Sequence, residues 1–146
     1  AESPSKSYRQ SKTNQWETWD TEVIPRLVPL WTRMFFETKG WRDVYKLPLP
    51  QRNAATCACK GHVIHKVSAV YFTEIKDIVI DICACTPAAD QLLEVGLFPC
   101  APVRLSVAVD VRVLDMVRRL FLRVAPNNTA YTEAYEEFLD ELGFSL

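Results

Sequence analysis

The residues best equipped for chemistry are the five cysteines, four of which form two identical triplets, Cys57-Ala58-Cys59 and Cys83-Ala84-Cys85. Thiolates are soft donors that hold zinc tightly, and a structural zinc site is closed by four ligands. Two C-x-C pairs brought together by the fold would supply all four. An odd cysteine count suits a disulfide framework poorly. Because the commoner zinc knuckle is C-x-x-C, buried structural thiols and a pair of disulfides stand as lesser alternatives. The two histidines, His62 and His65, both follow the first triplet. Either is a candidate to replace one thiolate or to donate to one. A catalytic zinc needs an open position beside a general acid or base. Glu74 and Asp81 are the nearest acids in sequence, and the expectation is a structural ion rather than a catalytic one. Cys100, in Phe98-Pro99-Cys100-Ala101-Pro102, has no neighbouring base to activate it and is expected to be a small buried apolar residue.

The elements that must position these sulfurs follow from the intervening pattern. His62–Phe72 is rich in Val, Ile and aromatics, and Ile78–Cys83 alternates, so a β-hairpin is predicted with Thr73–Asp77 as its loop. Residues i and i+2 of a strand face the same way, which lets each triplet aim both sulfurs at one point. A turn centred near Ile75 would set His65 opposite Cys85. Gly61 would permit a tight backbone turn beside the first triplet.

Helices surround this hairpin. Gln15–Lys39 carries Trp16, Val23, Leu27, Leu30, Trp31, Met34 and Phe35 at helical spacing. Pro25 and Pro29 should kink or split it, and Gly40 should end it. Trp41–Arg52 reads as an irregular connection. A short helix is predicted over Pro87–Val95. Amphipathic helices follow over Asp110–Val124, with Asp110 as N-cap, and over Thr129–Leu142, with Pro126-Asn127-Asn128 between them. Four tryptophans in the first third are expected to be core. The resulting expectation is an α+β fold, a zinc-stapled β-hairpin packed among four or five α-helices. Residues 1–14 read as a flexible polar arm and residues 15–146 as a single cysteine-cluster domain. A start at Ala1 with no signal-type apolar run, and a stop at Leu146 with no polar tail, suggest a fragment of a longer protein.

Composition bounds the function. With 17 basic residues against 18 acids, the net charge of -1 excludes a strongly basic nucleic-acid binder at the level of the whole chain. Locally, Arg112, Arg119 and Arg123 fall on one face of the 110–124 helix, where they could meet phosphates. The favoured alternative is a solvated face paired to the acidic last helix, which carries Glu133, Glu136, Glu137, Asp140 and Glu141. Lys60 and Lys66 of the hairpin are further phosphate candidates. No apolar run approaches the length of a membrane span. P-loop, GxGxxG, GxSxG and HExxH patterns are absent, so neither an enzyme nor a small-molecule substrate is expected.

The order of motifs is Val23-Ile24-Pro25-Arg26-Leu27-Val28-Pro29, C-x-C, hairpin, and C-x-C with Pro87-Ala88-Ala89. Then come Gly96-Leu97-Phe98-Pro99-Cys100-Ala101-Pro102, Ala108-Val109-Asp110 and Asn127-Asn128-Thr129-Ala130-Tyr131-Thr132-Glu133-Ala134. This order resembles the cysteine-cluster region N-terminal to the core of fungal KDZ (Kyakuja–Dileera–Zisupton) transposases. Arg104-Leu105, where members often carry a proline, marks a diverged copy. The resemblance implies a non-catalytic zinc-binding accessory domain of a nuclear protein, contributing to transposon DNA binding or transposase assembly. A downstream transposase domain or a second copy would be its partner. The alternative is an interaction or dimerisation module with no DNA contact.

Overall fold

A computed structural model describes residues 6–46 and 59–146. The stretch read as a polar arm is helical from Lys6 onward. Helix α1 spans Lys6–Thr18 and runs through a wider π turn at Trp19–Val23 into α2, Ile24–Glu37. The two prolines therefore do not separate the helix. In the π turn the Ile24 amide reaches back to the Trp19 carbonyl. The wider turn lies just ahead of Pro25, whose missing N–H and bulky ring fit poorly in a regular turn. Val23, Leu27 and Met34 are buried along one stripe, with Leu30 and Trp31 half-buried beside them.

The helix ends at Glu37, and Gly40 closes the turn that follows it. Gly40 has a φ of +67° and its amide closes on the Phe35 carbonyl at 2.7 Å. Trp41 follows with a φ of +68°, a region that costs a side-chain-bearing residue about 1 kcal/mol. Its indole is only 1% exposed and meets the ring of Trp31 edge-on at 4.7 Å. Burial of so large an apolar surface outweighs the backbone cost. Trp19 stacks on Phe98, whereas Trp16 is 62% exposed. The expectation of four core tryptophans thus fails at Trp16, which lies about two turns before the first buried position, Val23.

The hairpin is present, but it is half of a larger sheet. Strands β1 (Val63–Val70), β2 (Ile75–Ile82), β3 (Leu97–Pro99) and β4 (Val107–Asp110) form one four-stranded mixed sheet in the order β2-β1-β4-β3. β1 runs antiparallel to β2 and parallel to β4, while β3 and β4 are antiparallel. The two short strands come from the Gly-Leu-Phe-Pro and Ala-Val-Asp strings, which are too short for alternation to reveal them. On β1 and β2 the buried residues Val67, Ala69, Ile80 and Ile82 face the core.

Helix α3 (Ala88–Leu93) lies between two clusters of buried residues. Ala89 and Leu93 join Leu27, Met34, Trp41 and Val111 on the helical side, and Leu92 joins the sheet side. Arg26 of α2 anchors it through Asp90 at 2.7 Å. Gly96 then turns the chain into β3 with a φ of +82°. A β-carbon there would lie 2.4 Å from Val44 Cγ2, so only glycine fits. Helices α4 (Val111–Phe121) and α5 (Asn128–Glu141) complete the chain, capped by the side chains of Asp110 and Asn127 as the sequence predicts. The architecture is therefore α+β, with five α-helices around a four-stranded mixed sheet among the described residues.

Candidate metal centre

The site lies at the open end of the β1–β2 hairpin. Val70 pairs with Ile75, and the Tyr71 amide donates to the Glu74 carbonyl at 2.9 Å. The turn therefore falls ahead of Ile75, earlier than the sequence suggested. This sets the register: Val63 faces Ile82, Ile64 faces Asp81, and His65 faces Ile80. Continuing one step outward puts His62 alongside Cys83 and Gly61 alongside Ala84. The close approach is visible at Gly61, where a β-carbon would lie 2.6 Å from the Ala84 β-carbon. Gly61 is thus needed for strand proximity rather than for an unusual backbone angle.

Because side chains alternate across a strand, His62, Asp81 and Cys83 share the outer face. His65 has the opposite parity and pairs with Ile80, which is completely buried. The expected opposition of His65 and Cys85 does not occur, and the displaced turn is the reason.

Among the described residues, one group of donors converges. Cys59, His62 and Cys83 place a ligand atom each within 4.8 Å of one another. The Cys59 and Cys83 sulfurs are 3.3 Å apart. A disulfide bond is about 2.05 Å long, so this is a non-bonded approach. Two thiolates on one tetrahedral zinc, at Zn–S of about 2.3 Å, lie about 3.8 Å apart. A small relaxation therefore converts one arrangement to the other, and the soft donor set suits zinc. Of the remaining candidates, Cys57 lies outside the described residues. Cys85 is exposed and its sulfur is not in the group of three, but its amide donates to Cys83 Sγ at 3.2 Å. An N–H aimed at sulfur stabilises the thiolate form.

Two supporting residues escaped the sequence reading. Gln91 of α3 accepts from the Cys83 amide at 3.0 Å and donates to the Cys83 and Thr86 carbonyls at 2.8 and 2.7 Å. One carboxamide so clips the second triplet to the core. Asp81, read only as an acid near a possible catalytic zinc, has its side chain 6% exposed and meets His62 Nδ1 at 3.2 Å. The signal for Asp81 lies in the strand parity, once the turn is placed correctly.

Cys100 is exposed rather than buried, because it follows the last residue of β3 where the chain leaves the sheet. Its thiol is nonetheless pushed up by local desolvation.

The arginines expected to face phosphates or α5 are engaged closer to home. Arg118 and Arg119 both bond Asp115, at 3.0 and 2.8 Å, one turn back on the same helix. Burial works upward on Asp115, but the guanidiniums of Arg119 and Arg118 outweigh it and hold the carboxyl below its usual range. Arg112 lies 3.4 Å over the Tyr45 ring, and Arg123 donates to the Arg119 carbonyl. Pairing with the acidic last helix is thus replaced by pairing within α4, since a partner at i-3 or i-4 is already in reach. Lys66 pairs with Asp77 across the hairpin, and Lys60 is exposed beside Cys59.

No described helix is long and apolar enough to cross a membrane. No curated protein and no solved structure matches the chain. Residues 42–143, a span that includes both C-x-C triplets, match the family described as CxC1-like cysteine cluster associated with KDZ transposases. The convergent sulfurs and the order of motifs agree with that match, and the chain belongs to this cysteine-cluster family.

Proposed function

We propose that this chain is a non-catalytic, zinc-holding accessory domain of a nuclear KDZ-type transposase. The observation that carries the reading is the approach of Cys59 and Cys83, separated by 24 positions in the chain, to 3.3 Å beside His62. Zinc held there would cross-link the two ends of the hairpin and couple metal binding to folding. Cys59 and Cys83 would hold it, with a further donor from Cys57 or Cys85. The ion's role would be structural, the usual one for a sulfur-rich donor set that joins two distant stretches of chain.

Between the two accessory roles, assembly is better supported than DNA contact. Arg112, Arg118 and Arg119 spend their charge on Tyr45 and Asp115. Leu122 and Val124 after α4, and Phe138 and Leu142 at the end of α5, leave apolar side chains exposed. Elemental analysis of the purified full chain tests the metal reading, combined with a thiol count before and after chelation. One zinc per chain is expected, with thiols becoming reactive on chelation. A Cys59–Cys83 disulfide in protein alkylated under native conditions would overturn it. Light scattering separates the two roles: mass that rises with concentration supports assembly. A salt-dependent mobility shift that weakens when Arg112, Arg119 and Arg123 are neutralised would return DNA contact to first place.

A further inference from the structure

The thiolates alone leave the ligand set undecided. We propose that the set is mixed, with His62 binding the metal through Nε2 and Asp81 acting as the positioning residue that aims its ring. This rests on the zinc reading and adds to it the identity of a nitrogen donor.

Three observations carry the assignment. The first is register. His62 stands three positions after Cys59, and the pairing of Val63 with Ile82 carries it to the side of Cys83. The second is convergence, because a His62 ring nitrogen lies within 4.8 Å of both sulfurs. The third is the partner of Nδ1. Asp81 Oδ1 lies 3.2 Å from it, and the carboxylate is almost entirely shielded from water. A carboxylate can only accept, so this contact selects the tautomer with the proton on Nδ1. The lone pair is then on Nε2, the atom a metal needs.

A neutral imidazole in place of a fourth thiolate also reduces the negative charge gathered at the hairpin end. Two sulfurs, thiolates once a metal is bound, already meet there at 3.3 Å with Asp81 on the same face. A solvated histidine–carboxylate pair would show the Asp81 contact, but it would gain nothing from being held against two sulfurs. His65 serves as the internal control. It is the chain's other histidine, three positions further on, and its strand parity turns it to the packed face.

Cobalt(II) titration of the reduced full chain tests the proposal, with zinc competition to read affinity. Wild-type protein is expected to show fewer thiolate-to-cobalt charge-transfer contributions than His62→Cys, which converts the set to thiolates alone. His62→Ala should lose tight binding, and His65→Ala should match wild type. Asp81→Asn should retain the metal and the cobalt spectrum but weaken affinity by roughly 10–100-fold. In case His62→Ala does not fold, cadmium-113-loaded wild type gives a second readout, in which scalar coupling from cadmium to the His62 ring is expected. No coupling, or an unchanged cobalt spectrum and affinity in His62→Ala, overturns the mixed set while zinc binding stands. A wild-type chain that takes up neither cobalt nor zinc overturns the metal reading itself, and this assignment with it.

Discussion

Two carboxylates at strand ends, Asp81 and Asp110, show opposite ways of using a buried charge. Asp110 is 1% exposed and is surrounded by donors of its own chain. It caps α4 through the Arg112 amide at 2.9 Å, accepts the Tyr45 hydroxyl at 2.9 Å, and faces Arg112 Nε at 3.9 Å. Each of these partners is a donor from the same chain, and two of them lie within hydrogen-bond distance. Asp81 meets a histidine that converges with two sulfurs, a set of donor atoms that a metal ion can use. Satisfied polar groups make architecture, whereas convergent groups with lone pairs to spare make a binding site.

Removing the metal is the most severe way to break this comparison. Chelation of zinc-loaded protein, or Cys83→Ala, is expected to lower the thermal midpoint by about 10 °C or more. Hydrogen exchange should locate the loss in the hairpin end, with the amides around Asp110 still protected. Uniform loss of protection would mean that the two regions are one cooperative unit. The next largest effect is expected at Asp110→Ala, at about 2–3 kcal/mol. It removes a cap and leaves Arg112 beside no carboxylate, and denaturant unfolding reads the cost. Metal affinity should not change in this variant.

A pH series sharpens the same contrast. Burial pushes the Asp110 carboxyl up, against the lowering effect of the Arg112 amide. A raised acid contributes most when protonated, so its contribution is full at low pH and is lost as pH rises through the folded pKa. Wild type should therefore lose stability relative to Asp110→Asn between acid and neutral pH. Tyr135 behaves likewise at the alkaline end. Burial, aided by Tyr131 and Asp110, pushes its hydroxyl from 10.0 up to about 12. Its bond to the Tyr71 carbonyl ties α5 to the hairpin turn. Tyr135→Phe should cost about 1 kcal/mol at neutral pH and remove the loss of stability between pH 10 and 12. The smallest change is expected at Arg119→Ala, below about 1 kcal/mol, since the pair with Asp115 is exposed on the arginine side.

The sequence exposed those features whose signal is local. Gly40, Asp110 and Asn127 mark helix ends by chemistry that acts within a turn, and the structure uses all three. The approach of one cysteine from each C-x-C stretch, Cys59 to Cys83, was likewise legible from residue type and spacing. Register was not, because it depends on a four-residue loop whose length alternation cannot fix. A displaced turn exchanged His65 for His62 and hid Asp81. β3 and β4 were invisible for a different reason. At three and four residues they carry no periodicity, and only their neighbours in the sheet make them strands. Arg119, expected to meet phosphate or the last helix, has Asp115 as its partner one turn back, a local pairing that a count of charges does not reveal.

β1 has two neighbours of very different provenance. β2 follows after a short loop, whereas β4, paired from Ser68 to Val107, is reached only after both cysteine triplets and α3 have been laid down. Closing that longer loop costs more chain entropy than closing the hairpin. If the site holds zinc as proposed, the sulfurs can meet the ion before β4 is free to pair with β1. Metal supply during translation would then govern how much of this protein matures, independently of how stable the finished molecule is.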